Sequence, residues 1–373
     1  MKVIFTCGGT AGHVNPALAL AGYMREKDAA TEVIFVGAER GLERDLVAHA
    51  GYPFRAVNVS SFWRSFRPKA IRHNLVSVKN LLFAEREANA ILDGFRPDLI
   101  VGTGGYASYP IVRYGAKRGI PTAVHESNAI PGLTTKQLEP YAERIMVGFE
   151  DCRQHYRHPD KVVVTGTPVR GDFFAQTKQE AKRRLGLDDG RPLVVSFWGS
   201  LGAGQMNAMM AEFLALEAAH EPFHHIHGVG TISWDAMQTA LRERGVDLAA
   251  HPSLDVREYI YDMAEVMRAA DLVLSRAGAS TIAELTALGV PAILVPSPNV
   301  TNHHQEKNAA VLGDHGAALV LREDGLDGKQ LFAAAAGILR DAEKRADMAK
   351  NMASLGVRDA TEKIYETVMG LVR

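Results

Sequence analysis

"VIFTCGGTAGHVNPALALAGYMRE" (residues 3–26) carries the reading that decides the fold. The apolar run Val3-Ile4-Phe5 reads as a buried strand. Gly8, Gly9 and Gly12 then make a turn almost without side chains, which ends on a single imidazole, His13. A helix-forming stretch begins at Pro16. Strand, glycine turn and helix in direct succession open a βαβ unit. The passage has an echo, "VVSFWGSLGAGQMNAMMAEFLALE" (residues 194–217), with the same three parts in the same order. The echo predicts two halves, each built on its own parallel sheet, with a seam near "TGTPVRGDFF" (165–174).

The chain between these passages keeps the same rhythm. Strands are expected at Val3–Thr6, Val33–Val36, Leu99–Gly102, Thr122–His125, Ile145–Val147 and Val162–Thr165. A second series falls at Leu193–Phe197, His225–Gly228, Leu272–Ser275, Ala292–Val295 and Ala318–Leu321. Periodic stretches such as Ala17–Lys27, Ala70–Asp93 and Met206–Ala219 read as helices between them. The expected fold class is α/β, two Rossmann-like parallel-sheet domains facing a cleft, with ligands outside the carboxyl ends of the strands.

At 373 residues the chain is long for one core. With 42 basic and 43 acidic residues, it has no charge excess of the kind that nucleic acid attracts, so a nucleic-acid partner is not expected. Cys7 and Cys152 are too few for a disulfide framework, and Cys7 reads as a small core residue at a strand end. The opening "MKVIFTCGGT" leaves no room for a secretory apolar segment, and nowhere do 18 uninterrupted apolar residues occur. A cytosolic protein is the expectation.

Three glycine turns follow predicted strands: Gly8–His13, "GTGGYAS" (102–108) and "GSLGAG" (199–204). Glycine allows positive φ and close backbone approach, and a following helix offers unpaired N–H groups to an anion. Three such turns suggest more than one phosphate-bearing ligand. A tight strand-to-helix connection is the plainer reading of any one of them. No turn fits the P-loop or the G-x-G-x-x-G fingerprint, which excludes the usual ATP and NAD signatures. Glu284 has a second reading of its own, because Thr281-x-x-Glu284 fits a capping box at a helix start.

"GGTAGHVNPALALA", "GTGGYAS", "HESNAIPGLTTK", "GTPVR", "GSLGAGQMN", "RAGASTIAE" and "HHQEKNA" occur in the order found in the MurG family, and the resemblance runs from about residue 2 to the final helix. These are bacterial transferases that move GlcNAc from UDP-GlcNAc to the C4 hydroxyl of the muramoyl sugar of lipid I, forming lipid II with inversion. The resemblance implies a GT-B fold: an N-terminal acceptor and membrane-associating domain over 1–168, a UDP-GlcNAc domain over 169–352, and residues 353–373 crossing back onto the first. It also implies a peripheral protein at the cytoplasmic membrane face, other cell-wall synthesis proteins as partners, no cofactor and no DxD metal site.

Carried over by position, the resemblance makes His13 the general base. It places the acceptor at Gly8, Gly9, Thr10, Ala11, Gly104, Gly105, Tyr106, His125 and Glu126. The donor falls at Thr10, Gly12, Asn128, Arg170, Ser200, Ile260, Ala279, Ser280, Thr281, Glu284, His304 and Gln305. Among these, Arg170 stands near the diphosphate, Glu284 at the ribose hydroxyls and Ile260 at the uracil. Imidazole chemistry suits a weak sugar-hydroxyl nucleophile. Helix capping or phosphate orientation is the alternative role for His13. The sequence departs from the common pattern at Ser127, Ser280 and His304. It departs also at Trp198, which is expected to make the third turn bulkier at its entrance.

Residues 60–86 hold six basic residues against one acidic, with Phe62, Trp63 and Phe66 ahead of the stripe Ile71, Leu75, Val78 and Leu82. Such a segment suits anionic headgroups, although an ordinary α/β helix shows the same stripe. "HEPFHHIHG" (220–228) tempts a metal reading, but His225 and His227 alternate on a strand and no carboxylate or cysteine cluster accompanies them. The competing functions are another GT-B transferase with a lipid or natural-product acceptor, a sugar-nucleotide 2-epimerase, and a non-catalytic scaffold.

Overall fold

The computed structural model describes residues 1–39, 41, 43–59, 84–199, 202–220, 223–300 and 303–372. The chain forms two units, Met1–Val169 with Val357–Arg373, and Arg170–Gly356. Unit 1 contains the strands β1 (Lys2–Thr6), β2 (Glu32–Ala38), β3 (Phe54–Val57), β4 (Leu99–Gly102), β5 (Thr122–Glu126), β6 (Arg144–Val147) and β7 (Val162–Val164). Its helices are α1 (Ala11–Lys27), α2 (Glu43–His49), α3 (84–95), α4 (Ser108–Lys117) and α5 (Leu133–Leu138). Unit 2 contains the strands β8 (Leu193–Phe197), β9 (His224–Gly228), β10 (Leu254–Arg257), β11 (Leu272–Ser275), β12 (Ala292–Leu294) and β13 (Ala318–Val320). Its helices are α6 (Lys178–Arg184), α7 (Gly204–His220), α8 (Trp234–Glu243), α9 (Met263–Ala269), α10 (Ala279–Leu288), α11 (His304–Asp314), α12 (Gly328–Arg340) and α13 (Ala342–Ser354). The last helix, α14 (Ala360–Met369), belongs to unit 1.

The sheet orders are β3-β2-β1-β4-β5-β6-β7 and β10-β9-β8-β11-β12-β13. Both place the first strand of the unit beside its second and fourth. This is the doubly wound order that puts a binding site at the carboxyl ends where the winding reverses. Every ladder is parallel, as βαβ connections require. The echo between residues 3–26 and 194–217 is therefore the same element pair, β1–α1 and β8–α7, at the same place in two sheets.

Parallel strands covered on both faces should be apolar throughout. β1 and β8 are buried along almost their whole length. Two strands escape the sequence reading, β3 ("FRAV") and β10 ("LDVR"). Both are sheet edges, where one side meets solvent and charged residues break the apolar run. Helix α1 also starts earlier than expected. Thr10 is extended (φ −150°, ψ 154°) and caps a helix that already runs at Ala11, with Pro16 inside it. Proline removes from that helix the bond its missing N–H would give the Gly12 carbonyl, and its ring crowds the same carbonyl. His13 thus stands on the first helical turn and not ahead of it.

Each unit has its own core. In unit 1, Phe5 and Phe35 stack 5.4 Å apart, and Ile364 and Val368 of α14 are buried with Val14, Ala17, Leu20 and Met24 of α1. Tyr365 meets Tyr23 edge to face at 5.5 Å. The return to unit 1 falls at Val357, later than residue 353, because α13 runs on through Ser354. Cys7 is fully buried, and burial pushes its thiol up to about 12, so it is an inert core residue. Trp198 corrects the sequence reading. It is 3% exposed and packs in the core of unit 2, so it adds no bulk to the mouth of the turn.

The histidine pair on β9 brings a second correction. A carboxylate does accompany it: Glu217 Oε2 lies 2.6 Å from His225 Nδ1, both side chains fully buried. Ser196 Oγ lies 2.7 Å from both His225 Nε2 and His227 Nδ1. Burial raises the Glu217 carboxyl well above its ordinary value and lowers both imidazoles to about 3. A neutral chain satisfies these directions. Glu217 donates to His225 Nδ1, His225 Nε2–H donates to the Ser196 hydroxyl, and His227 Nδ1–H is shared between that hydroxyl and the Ser196 carbonyl 3.2 Å away. Among the described residues no group of His, Cys, Asp and Glu is arranged to hold a metal.

Candidate active site

The first two glycine turns of unit 1 pack directly on one another. Gly8 is buried beneath the second turn, and a Cβ at Gly105 (φ +82°) would run into the Gly8 carbonyl. At Gly104 (φ +107°) a Cβ would come within 2.6 Å of His13 Cδ2 and 3.0 Å of Nε2. Only glycine fits at either place, both for its φ and for its missing side chain. The His13 ring therefore lies along the bare backbone of the second turn. Its backbone is fixed there too, because Thr103 Oγ1 donates to the His13 carbonyl at 2.6 Å.

His13 Nδ1 lies 2.7 Å from the Gly8 carbonyl oxygen and 3.3 Å from Thr10 Oγ1. A carbonyl only accepts, so Nδ1 carries the proton. That tautomer leaves the lone pair on Nε2. Gly9 and Thr10 are exposed beside it, and Tyr106 lies against Gly9. The first N–H groups of α1 have no intrahelical partner, which makes this corner a place for an anion.

The "HESN" residues have a different character. His125 is 1% exposed, and its Nε2 lies 2.9 Å from the Gly166 carbonyl. Glu126 accepts from Asn128 N and Nδ2, Gly132 N and Thr135 Oγ1, all within 3.0 Å. A carboxylate holding four donors is saturated. The side chains of His125 and Glu126 shape the loop after β5 and are spent on that task.

In unit 2, Gly278 caps α10, so Ala279, Ser280 and Thr281 form its first turn. Thr281 is thus inside the helix and not at its cap, which rules out the capping box and leaves Glu284 without that explanation. Glu284 is half-buried and makes no hydrogen bond or ion pair among the described residues. Burial raises its carboxyl to about 7, against the opposing pull of Arg170 and with a smaller push from Asp172. The Ser280 hydroxyl is buried with no partner among the described residues. Arg170 is exposed, 3.2 Å from Asp172. Gln305, at the start of α11 beside His304, accepts through Oε1 from the Ser297 N–H at 2.9 Å. Ile260 buries its side chain against Gly228 and can offer only its backbone. Ser200 lies outside the described residues, as do 60–83 of the basic aromatic segment.

Two positioning groups escaped the sequence reading. Arg276 donates to the Val295 carbonyl at 3.0 Å and to Glu323 at 2.6 Å, tying together the loops after β11, β12 and β13. Glu43 is fully buried under the first glycine turn, where it accepts from Ala38 N and Gly9 N. Gly37 and Gly41, both just ahead of Glu43 in the chain and both closely packed on its side chain, were the available signal for a packed acid.

The N-terminal domain of glycosyltransferase family 28 matches residues 3–147, and its C-terminal domain matches 193–364. Fold and site together define the class: a family 28 glycosyltransferase of GT-B fold. A UDP-N-acetylglucosamine–N-acetylmuramyl-(pentapeptide) pyrophosphoryl-undecaprenol N-acetylglucosamine transferase of Acetivibrio thermocellus is 40% identical over 100% of this chain and 99% of its own. The transferase of that name from Bacillus licheniformis is 36% identical over 100% of this chain and 99% of its own. The chain belongs to this family, the MurG transferases. Among solved structures, Acinetobacter baumannii MurG shares the fold with a TM-score of 0.77, at 24% identity and 99% coverage of each chain. A UDP-GlcNAc 2-epimerase from Neisseria meningitidis shares it at a TM-score of 0.62 and 14% identity, covering 99% of this chain and 100% of its own.

Proposed function

We propose that the chain transfers N-acetylglucosamine from UDP-GlcNAc to the C4 hydroxyl of the muramoyl sugar of lipid I, with inversion, forming lipid II. Membership in the family supports the reaction. The observation that carries the mechanism is the pose of His13, with Nδ1 bound to Gly8 and Nε2 laid along the second glycine turn. Nε2 takes the C4 proton as the oxygen attacks the anomeric carbon, and the bond from that carbon to the diphosphate oxygen breaks. UDP leaves with the electron pair. The first α1 amides and the glycine turns hold the acceptor's pyrophosphate.

On the donor side, the Glu284 carboxylate, which has no hydrogen-bond partner among the described residues, accepts the two ribose hydroxyls. The orphan Ser280 hydroxyl and the α10 N-terminus meet the diphosphate, and Arg170 offsets charge on the leaving group. The Gln305 NH₂ group remains for the sugar hydroxyls. An epimerase needs no such base beside an acceptor turn, and a scaffold needs no half-buried carboxylate without a hydrogen-bond partner.

Among the described residues, no helix is long and apolar enough to cross a membrane. Because lipid I is membrane-anchored, the protein is peripheral at the cytoplasmic face, with the aromatic residues Phe62, Trp63 and Phe66 as the candidate contact. Incubation with UDP-GlcNAc and a short-chain lipid I analogue tests the reaction: a disaccharide-linked lipid and UDP are expected in equal amounts. Free GlcNAc or an epimerised sugar nucleotide in place of that product would refute it.

A further inference from the structure

The interaction of Glu43 with the first glycine turn has a use beyond packing, and it rests on the reading of His13 as the base. Gly8 C=O and Gly9 N–H are two ends of one peptide group. Glu43 Oε2 accepts from that N–H at 3.3 Å, and the carbonyl oxygen lies 2.7 Å from His13 Nδ1. The order is carboxylate, peptide, imidazole. The other carboxylate oxygen is anchored by Ala38 N at 3.0 Å, at the end of β2. The cradle is built for this acid, since a Cβ at Gly8 would sit 2.9 Å from Glu43 Oε1 and one at Gly37 2.7 Å from its Cγ. Among the described residues, no cation pairs with Glu43.

We propose that Glu43 is a positioning residue for His13, acting through the Gly8–Gly9 peptide. A carboxylate accepting an amide N–H polarises that amide and strengthens its carbonyl as an acceptor. The stronger carbonyl holds the proton on Nδ1, fixes the ring, and keeps Nε2 as the free acceptor. A carboxylate set directly behind a catalytic imidazole does the same work with no peptide between them. The interposed peptide also keeps the negative charge one group farther from the anion that the turn is proposed to hold. Because Glu43 claims the Gly9 N–H, that anion must draw on the amides of residues 10–12.

The test combines side-chain ¹⁵N spectra of the histidines with steady-state kinetics on the full chain. The His13 signals are assigned by their absence from His13→Ala. In the wild type, neutral His13 is expected as the Nδ1–H tautomer. Glu43→Gln has one acceptor oxygen for two N–H groups. It should shift the spectrum toward a mixture with Nε2–H and lower kcat about tenfold, with the KM for UDP-GlcNAc unchanged. Glu43→Asp, whose carboxylate stops a methylene short of Gly9, should act in the same direction and serves if the glutamine variant does not fold. Wild-type spectra and kcat in a folded variant, with only Tm lowered, would make Glu43 structural and overturn the proposal. A shifted tautomer alongside near-normal kcat in both Glu43→Gln and His13→Ala would uphold the coupling and remove His13 as the base.

Discussion

A half-buried carboxylate without a hydrogen-bond partner is costly, and among the described residues Glu284 has none. Its carboxyl is raised to about 7 by burial, so near neutrality it is a mixture of acid and carboxylate. Two ribose hydroxyls donating to it would favour the charged form and bring the pKa down. The sign follows: donor binding releases a proton, and affinity rises with pH through about 7. UDP-GlcNAc should bind about tenfold more tightly at pH 8 than at pH 6 by calorimetry, with the proton release visible in buffers of different ionisation enthalpy. Glu284→Gln should bind more weakly and lose the pH dependence. A wild-type affinity that is flat over this range would place the ribose elsewhere.

At the scale of elements, the β8–β9–α7 network of Ser196, Glu217, His225 and His227 sets how stability follows pH. Two imidazoles with lowered pKa stay neutral in the fold, while the unfolded chain protonates them below about 6.5. Stability is therefore lost as pH falls from 6.5 toward 3. Glu217, held protonated, works the other way and withdraws stability as pH rises above its unfolded value. With two groups opposing one, Tm should rise between pH 5 and 6.5, and His227→Phe should reduce that slope. An unchanged slope would mean that other groups govern it.

This network also shows what the sequence concealed. Strand centres such as Leu99–Gly102 and Leu193–Phe197 were legible because burial on both faces demands an apolar run. His13 was legible because a bare glycine turn frames it. Glu217 and Glu43 look like ordinary helical acids until the fold brings in partners from distant elements. Glu126 was legible as important but not in its role, since its four donors lie within its own loop. The edge strands β3 and β10 were hidden by their own solvent exposure.

At the scale of the whole molecule, each unit carries a separate core, and unit 1 is completed by the far end of the chain. α14 packs along α1, with Tyr365 against Tyr23, and buries its own Ile364 and Val368 in the core of unit 1. Burial of Ile364 and Val368 contributes about 1.5–3 kcal/mol each. Removing residues 360–373 should destabilise unit 1 and abolish transfer, while UDP-GlcNAc binding by unit 2 persists. Calorimetry on the truncated chain checks this, and loss of donor binding there would show that unit 2 depends on unit 1 for its fold.

In the proposed transfer His13 Nε2 is the group that takes the proton. The direct measurement is kcat at saturating UDP-GlcNAc and lipid I analogue, for the wild type and for His13→Ala. Loss of a general base typically costs about 10²- to 10⁴-fold. The expected result is a kcat lowered at least about 10²-fold, with the KM for UDP-GlcNAc unchanged, because His13 touches nothing on the donor side of this reading. A His13→Ala enzyme with near-normal kcat and a raised acceptor KM would contradict it, and would make His13 a residue that orients the acceptor's phosphates.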